Sequence, residues 1–339
     1  MGIDLTGGMD PSADQFLAER PADPEFRESA SFWVFDERGA IGLPRCGIEA
    51  VSEAWEHRGV QVNVAFPDGR AVVVRDLGDG RSPVDDDGVC RTFGAGGLEF
   101  RSVEPFDTWT MTYDGVAHDT TAAELAAGAN PDVPVPLRID VEVRCAVPPW
   151  VSGTLNEDAA ALFEDGFAGS FISPRYEQLC TAKGTVDVGD EHWSFEGTAL
   201  RIHRQGPRDV AGFWGHCWPS ALFPSGKAFG ALAFPERPGE PTFNEGFVFD
   251  GERVLPATLV DAPWLRRLQP TGDDASLTLR TAEGDVHIEG ETAMSACMPP
   301  GWIAEFPMAL QQAGARYRWD GEETIGMLER SIPGDQLEG

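Results

Sequence analysis

The chain has 339 residues, and at roughly 150 residues per domain that length implies two domains. Hydrophobic residues make up 42% and charged residues 24%, which excludes disorder, collagen and coiled coil. Acidic residues outnumber basic ones 56 to 26, a formal charge of −30, so phosphate backbones and anionic headgroups are repelled and nucleic acid is excluded as a partner.

No segment approaches the roughly 18 consecutive apolar residues of a membrane span. The opening MGIDLTGGMDPSADQF has neither the basic nor the apolar region of a secretory leader, so the expected location is the cytoplasm. Cys46, Cys90, Cys145, Cys180, Cys217 and Cys297 stand singly with no CxxC pair. Reduced, mostly buried thiols are expected rather than a zinc site or a redox motif. Lys183 and Lys227 are the two lysines, which leaves few amines for Schiff-base chemistry.

Along the chain the pattern is mostly β. Val60–Val74 alternates apolar and polar residues, turns at Pro67-Asp68-Gly69 and resumes, as a hairpin does. Asp85-Asp86-Asp87 reads as a solvated acidic loop, and Gly94–Gly97 as a tight turn. Tyr113-Asp114-Gly115, Phe249-Asp250-Gly251 and Trp319-Asp320-Gly321 repeat the Asp-Gly turn signal. Ala122–Ala127 predicts one short helical turn. In Leu137–Cys145 the residues Leu137, Ile139, Val141, Val143 and Cys145 share one face of a strand, with charged residues on the other. Asn156–Phe163 predicts a helix capped by Asn156. Further strands are expected at 276–280, 285–288, 316–319 and 324–328. The fold class is therefore all-β, with many antiparallel strands and a few short helices. The stretch Val147–Pro174 separates the two domains, placed at residues 1–170 and 171–339; Gly128–Pro136 is an alternative break.

The chain has no GxxxxGK[ST], HExxH or GxSxG motif. The densest unusual segment is Trp193–Trp218, which holds Trp193, Arg201, His203, Arg204, Arg208, Asp209, Trp214, His216 and Trp218. On a strand, Trp214, His216 and Trp218 project to one side, placing an imidazole between two aromatic faces. Such a face suits an apolar ligand that needs one proton moved; the alternative is a buried core with a hydrogen-bonded histidine. Arg201 and His203 would likewise share a face. No HxH or HxxxH pair is present, so no metal is expected. Glu245, between Phe243 and Phe247, is a candidate general acid, because desolvation raises a carboxyl pKa. Asp261, Glu28 and Glu329 have similar settings, each with a plain ion-pair alternative.

The order of short motifs carries a resemblance. Glu28-Ser29 precedes Phe32-Trp33, and Tyr176-Glu177-Gln178 leads into Gly184. Next come Trp193-Ser194-Phe195-Glu196-Gly197 and Trp214-Gly215-His216-Cys217-Trp218. The chain closes on Trp319-Asp320-Gly321-Glu322 and Gly326-Met327-Leu328-Glu329-Arg330. This series resembles the two-domain lipocalin-like superfamily of AttH proteins and carotenoid 1,2-hydratases. The resemblance implies two packed calycin-like antiparallel barrels with a buried apolar cavity at or near their interface. It also implies hydration, dehydration, isomerisation or cyclisation of terpenoid-, steroid- or polyketide-like molecules without an organic cofactor. The chain departs from the family's Arg-Asp-His-(Ser)-Trp-Gly run: Val210-Ala211-Gly212-Phe213 separate Arg208-Asp209 from Trp214-Gly215, and the histidine follows as His216.

The reading is a metal- and cofactor-independent lyase or isomerase acting on a hydrophobic small molecule, with homodimerisation left open. His216, Asp209, Glu245 and His203 are the candidates for proton transfer. Trp214, Trp218, Trp193, Tyr176 and Arg201 are the candidates for substrate binding, with aromatic faces holding a cationic intermediate. A non-catalytic carrier of an apolar ligand is the alternative, and a structural module without a cavity the third reading.

Overall fold

A computed structural model describes residues 3–164, 171–210, 213–239, 242–301 and 308–338. Residue 170, where the domain division is expected, and the spacer residues Ala211 and Gly212 lie outside the described residues.

Eleven strands form the first sheet: β1 (Phe26–Asp36), β2 (Gly42–Val51), β3 (His57–Ala65), β4 (Arg70–Asp79), β5 (Thr92–Ala95), β6 (Leu98–Glu104), β7 (Thr108–Thr121), β8 (Val133–Cys145), β9 (Trp150–Val151), β10 (Arg175–Val188) and β11 (Glu191–Pro207). Its path runs β4-β3-β2-β1-β11-β10-β8-β7-β6-β5, and the extra β4–β7 pairing closes eight of these strands into a ring. The second sheet is a closed barrel of β12 (His216–Leu222), β13 (Ala228–Ala233), β14 (Asn244–Phe249), β15 (Val254–Asp261), β16 (Leu277–Thr281), β17 (Gly284–Met298), β18 (Met308–Trp319) and β19 (Glu322–Pro333). All pairings are antiparallel. The molecule is thus two antiparallel barrels, as the family resemblance implies, built from the antiparallel strands that the alternating sequence predicts. Two short helices interrupt the first region, α1 (Ala122–Ala126) and α2 (Glu157–Glu164). Thr121 and Glu124 close a capping box on α1, and Asn156 accepts from the Ala159 amide at 2.7 Å to cap α2. No helix among the described residues is long and apolar enough to cross a membrane.

The expected hairpin is β3–β4, and the Leu137–Cys145 alternation is carried by β8, whose apolar residues point inward. Pairing carries the first sheet beyond residue 170: β10 and β11 pair with β8 and β1, and the change of sheet falls between Pro207 and His216.

Three large apolar clusters among the described residues follow from this arrangement. Val62, Phe100, Ile139 and Val141 fill the first barrel, while Phe229, Leu279, Tyr317 and Leu328 fill the second. Between them, Trp33 and Phe35 of β1 and Leu200 and Ile202 of β11 pack on Trp218, Leu232 and Met327. Strands β1 and β11 therefore bury both faces, one in their own barrel and one beneath its neighbour. Trp33 and Trp218 meet edge to face with centroids 5.2 Å apart, a geometry worth about 0.5–1.5 kcal/mol beyond burial. Polar pins across the seam include Thr198 to the Ile325 carbonyl at 2.6 Å and Gln61 to Gln312 at 2.6 Å.

Candidate active site

At one edge of this seam lies a cavity of about 340 Å³. Its first wall is the outer face of β1 to β4, β10 and β11, which presents Arg27, Trp33, Arg45, Glu49, Arg75, Arg175, Ile202 and Arg204. Alternation accounts for this set, since Arg27, Ser31 and Trp33, like Arg45, Gly47 and Glu49, point away from the first core. The second wall is supplied by His216, Trp218, Leu232, Leu310, Gln312 and Glu329 of the second barrel, and Phe171, Arg208 and Val210 complete it.

His216 stands at the start of β12. Its Nδ1 is 2.7 Å from Ser331 Oγ, and its Nε2 is 3.2 Å from Glu329 Oε1. Gln312 donates to the other Glu329 oxygen at 2.6 Å, and the Arg45 guanidinium lies 3.7 Å away. Burial works against the Glu329 charge, but His216, Arg45 and Gln312 overcome it and hold the pKa at about 2. The carboxylate is therefore ionised and can only accept, so His216 Nε2 carries a hydrogen.

Opposite this pair the cavity is cationic. Glu49 is 2.8 Å from Arg27, 3.4 Å from Arg208 and 3.8 Å from Arg204. Burial would raise its pKa, yet these guanidiniums, with Arg45, bring it to about 2. Burial lowers Arg75 to about 9, assisted by the neighbouring Arg45 charge. It also lowers Arg204, next to Arg208 and Arg175. Arg175 pairs with buried Glu177 at 2.7 Å and covers the Trp218 ring at 4.6 Å. Burial raises the Glu177 carboxyl against that pairing, and Trp218 Nε1 donates to it at 2.9 Å. Arg45 has φ +73°, a left-handed backbone uncommon for a side chain of its size.

Of the residues singled out from sequence, Arg204, Arg208, His216, Trp218 and Glu329 line the cavity. Trp214 does not share their wall: Gly215 turns the chain at φ +125°, β12 begins only at His216, and the Trp214 indole donates to the Pro235 carbonyl at 2.8 Å. Asp209 is exposed, and Trp193 packs on Phe66. Tyr176, Arg201 and His203 meet one another on the opposite face of the first sheet. Arg201 is 2.7 Å from Asp14, and the Tyr176 hydroxyl hydrogen-bonds Asp14 and lies 3.2 Å from His203 Nδ1. Burial works against the Asp14 charge, but Arg201 and Tyr176 hold the carboxyl below its usual range. Glu245 is a buried staple that accepts from Trp150 Nε1 at 2.9 Å and from the amides of Gly153 and Leu155 at 2.6 and 2.7 Å. Among the described residues no three His, Cys, Asp or Glu side chains converge as metal ligands.

Sequence reasoning passed over Arg45, Glu49, Arg75, Arg175 and Gln312. Their signal was charge at alternate positions of strands, which reads equally as a solvated face until a second barrel covers it.

This two-barrel architecture is similar in fold to solved structures of a protein described as AttH and of CghA. Residues 12–333 match the family described as a domain of unknown function, DUF7064, and the chain belongs to that family. The crystal structure of a protein described as AttH from Nitrosomonas europaea superposes with a TM-score of 0.56 at 11% identity, over 91% of this chain and 92% of that one. CghA crystallised with Sch210972 gives 0.56 at 12% identity, over 91% and 89%. Kievitone hydratase from Nectria haematococca gives 0.45 at 11% identity, over 95% and 94%. No curated protein matches the sequence significantly.

Proposed function

We propose that the inter-barrel cavity is the active site of a cofactor-independent lyase or isomerase that moves a proton on a largely hydrophobic small molecule through His216. The observation that carries this reading is the Glu329–His216 pair, backed by Ser331, in a cavity lined by both apolar groups and guanidiniums. Ionised Glu329 orients the ring, as a carboxylate behind a catalytic imidazole does. With its hydrogen held on Nε2 toward Glu329, the ring carries its basic lone pair on Nδ1, which faces the Ser331 hydroxyl at 2.7 Å and is the nitrogen that takes a proton.

The arginines argue for the sign of the charge that develops. A cationic intermediate in this cavity meets six guanidiniums, whereas an enolate or other oxyanion is stabilised by them. The reading therefore departs from the expected cation on aromatic faces. It favours proton abstraction or return beside a carbonyl, as in β-elimination, its reverse, or double-bond migration.

One observation favours a carrier instead: both nitrogens of His216 are engaged by protein groups. Two steps separate the readings. Gentle purification followed by mass spectrometry identifies the retained molecule, and that molecule is then incubated with the protein in D2O. Deuterium incorporation or product formation with the wild type, lost in His216→Ala, supports the enzyme. A ligand recovered unexchanged and unchanged supports the carrier.

A further inference from the structure

The net charge of the cavity is opposite to that of the molecule. Arg27, Arg45, Arg75, Arg175, Arg204 and Arg208 line it, against Glu49, Asp76 and Glu329, with Glu177 behind Arg175. Among the described residues these guanidiniums outnumber the carboxylates. Glu49 is shared by three guanidiniums, and Glu329 and Glu177 each serve one. Asp76 is exposed. Among the described residues Arg75 has no carboxylate within ion-pair distance, and it donates instead to the Val62 and Val74 carbonyls and to Asn63.

Donors are in surplus as well. Nε of Arg45, Arg75 and Arg175 and Nε1 of Trp33 are buried without a hydrogen-bond partner among the described residues. An unpaired buried donor is costly, and so is like charge crowded away from water. The lowered pKa values of Arg75 and Arg204 are a second expression of that crowding. Meanwhile Phe171, Ile202, Leu232 and Leu310 give the same cavity an apolar lining from both walls.

We infer that the molecule bound here is an amphipathic carboxylate, its hydrocarbon body against these apolar side chains and its carboxylate among Arg45, Arg75 and their neighbours. Guanidinium forks match the two oxygens of a carboxylate. The distant acidic surface does not oppose this, because charges farther than the Debye length of about 8 Å are screened at physiological salt. The inference rests on the cavity being the functional site but is independent of proton transfer by His216.

Calorimetric titration with dodecanoate and with dodecanol tests it. Dodecanoate is expected to bind at least about tenfold more tightly, the worth of one charge-assisted hydrogen-bond set. Arg45→Asn, which tolerates the left-handed backbone, and Arg75→Gln are each expected to erase most of that preference while leaving dodecanol affinity within about twofold. The salt dependence of the wild type, read between 50 and 500 mM NaCl as roughly fivefold weaker dodecanoate binding, needs no variant to fold. Equal affinity for the two probes, or binding of neither, overturns the inference. A His216→Ala protein that keeps the dodecanoate preference but turns nothing over leaves both readings standing. One that keeps the preference and full turnover removes the catalytic reading alone.

Discussion

Glu329 lies directly opposite Trp218 in the β12–β19 ladder, yet its carboxylate reaches diagonally to His216, two residues away, rather than to the indole beside it. Diagonal neighbours on one sheet face are within reach of long side chains. Trp218 is free to turn its own Nε1 across the seam to Glu177. One ladder thus holds an acid–base pair and also fastens the two barrels.

His216→Ala is expected to lower turnover by roughly a hundredfold or more per folded molecule. It leaves the Ser331 hydroxyl and Glu329 Oε1 without their imidazole partner, so stability also falls by about 1–3 kcal/mol. Turnover and melting temperature measured on one sample separate the two effects. A destabilised but fully active protein ends the catalytic role.

Acid sensitivity follows from Glu49 and Glu329. Both are held at about 2 in the folded protein against an ordinary 4.5. A carboxyl depressed by folding contributes stability above its unfolded pKa and loses it as pH falls through the folded one. Unfolding free energy from urea titrations is therefore expected to drop by a few kcal/mol between pH 4.5 and 2. Glu49→Gln is expected to flatten that slope, and an unchanged slope contradicts the assignment.

Asp14→Asn tests the other buried polar cluster. It leaves Arg201 charged and buried without its 2.7 Å partner, a loss of about 3–5 kcal/mol for a broken buried pair. Turnover per folded molecule is expected to stay within about twofold, because this cluster lies across the sheet from the cavity. A large loss of turnover in the folded fraction would show that the cluster communicates with the site.

Glu245→Gln replaces a carboxylate oxygen that receives only N–H donors with an amide that is itself a donor. The expected cost is at least about 2 kcal/mol. Proteolysis is expected to quicken within residues 150–156, the segment stapled to β14, and to leave the barrels intact. Equal cleavage rates contradict the staple.

The strands were legible where one face met a core and the other met water, as in Val60–Val74 and Leu137–Cys145. The cavity was less so. His216 and Trp218 stood out because they belong to a short aromatic run, whereas Trp214 is redirected by a left-handed glycine. Arg45, Glu49 and Arg75 look like ordinary solvated strand residues. Their environment is made by β18 and β19, more than 230 positions away in the chain, and no local pattern encodes that distance. Glu245 was noticed for its apolar neighbours, but those neighbours hide the amides that bind it.

The pairing of β1 with β11 sets the timetable of folding. Residues 26–36 find their partners at 197–207, so the ring stays open during synthesis until its last two staves have left the ribosome. Until then β1 and β8 present unpaired edges, one of them carrying Phe32, Trp33, Val34 and Phe35. Open apolar edges recruit other chains, and closure over so long a separation is slow. A polypeptide stopped at residue 170 is therefore expected to aggregate, whereas one stopped after 207 can close its first ring.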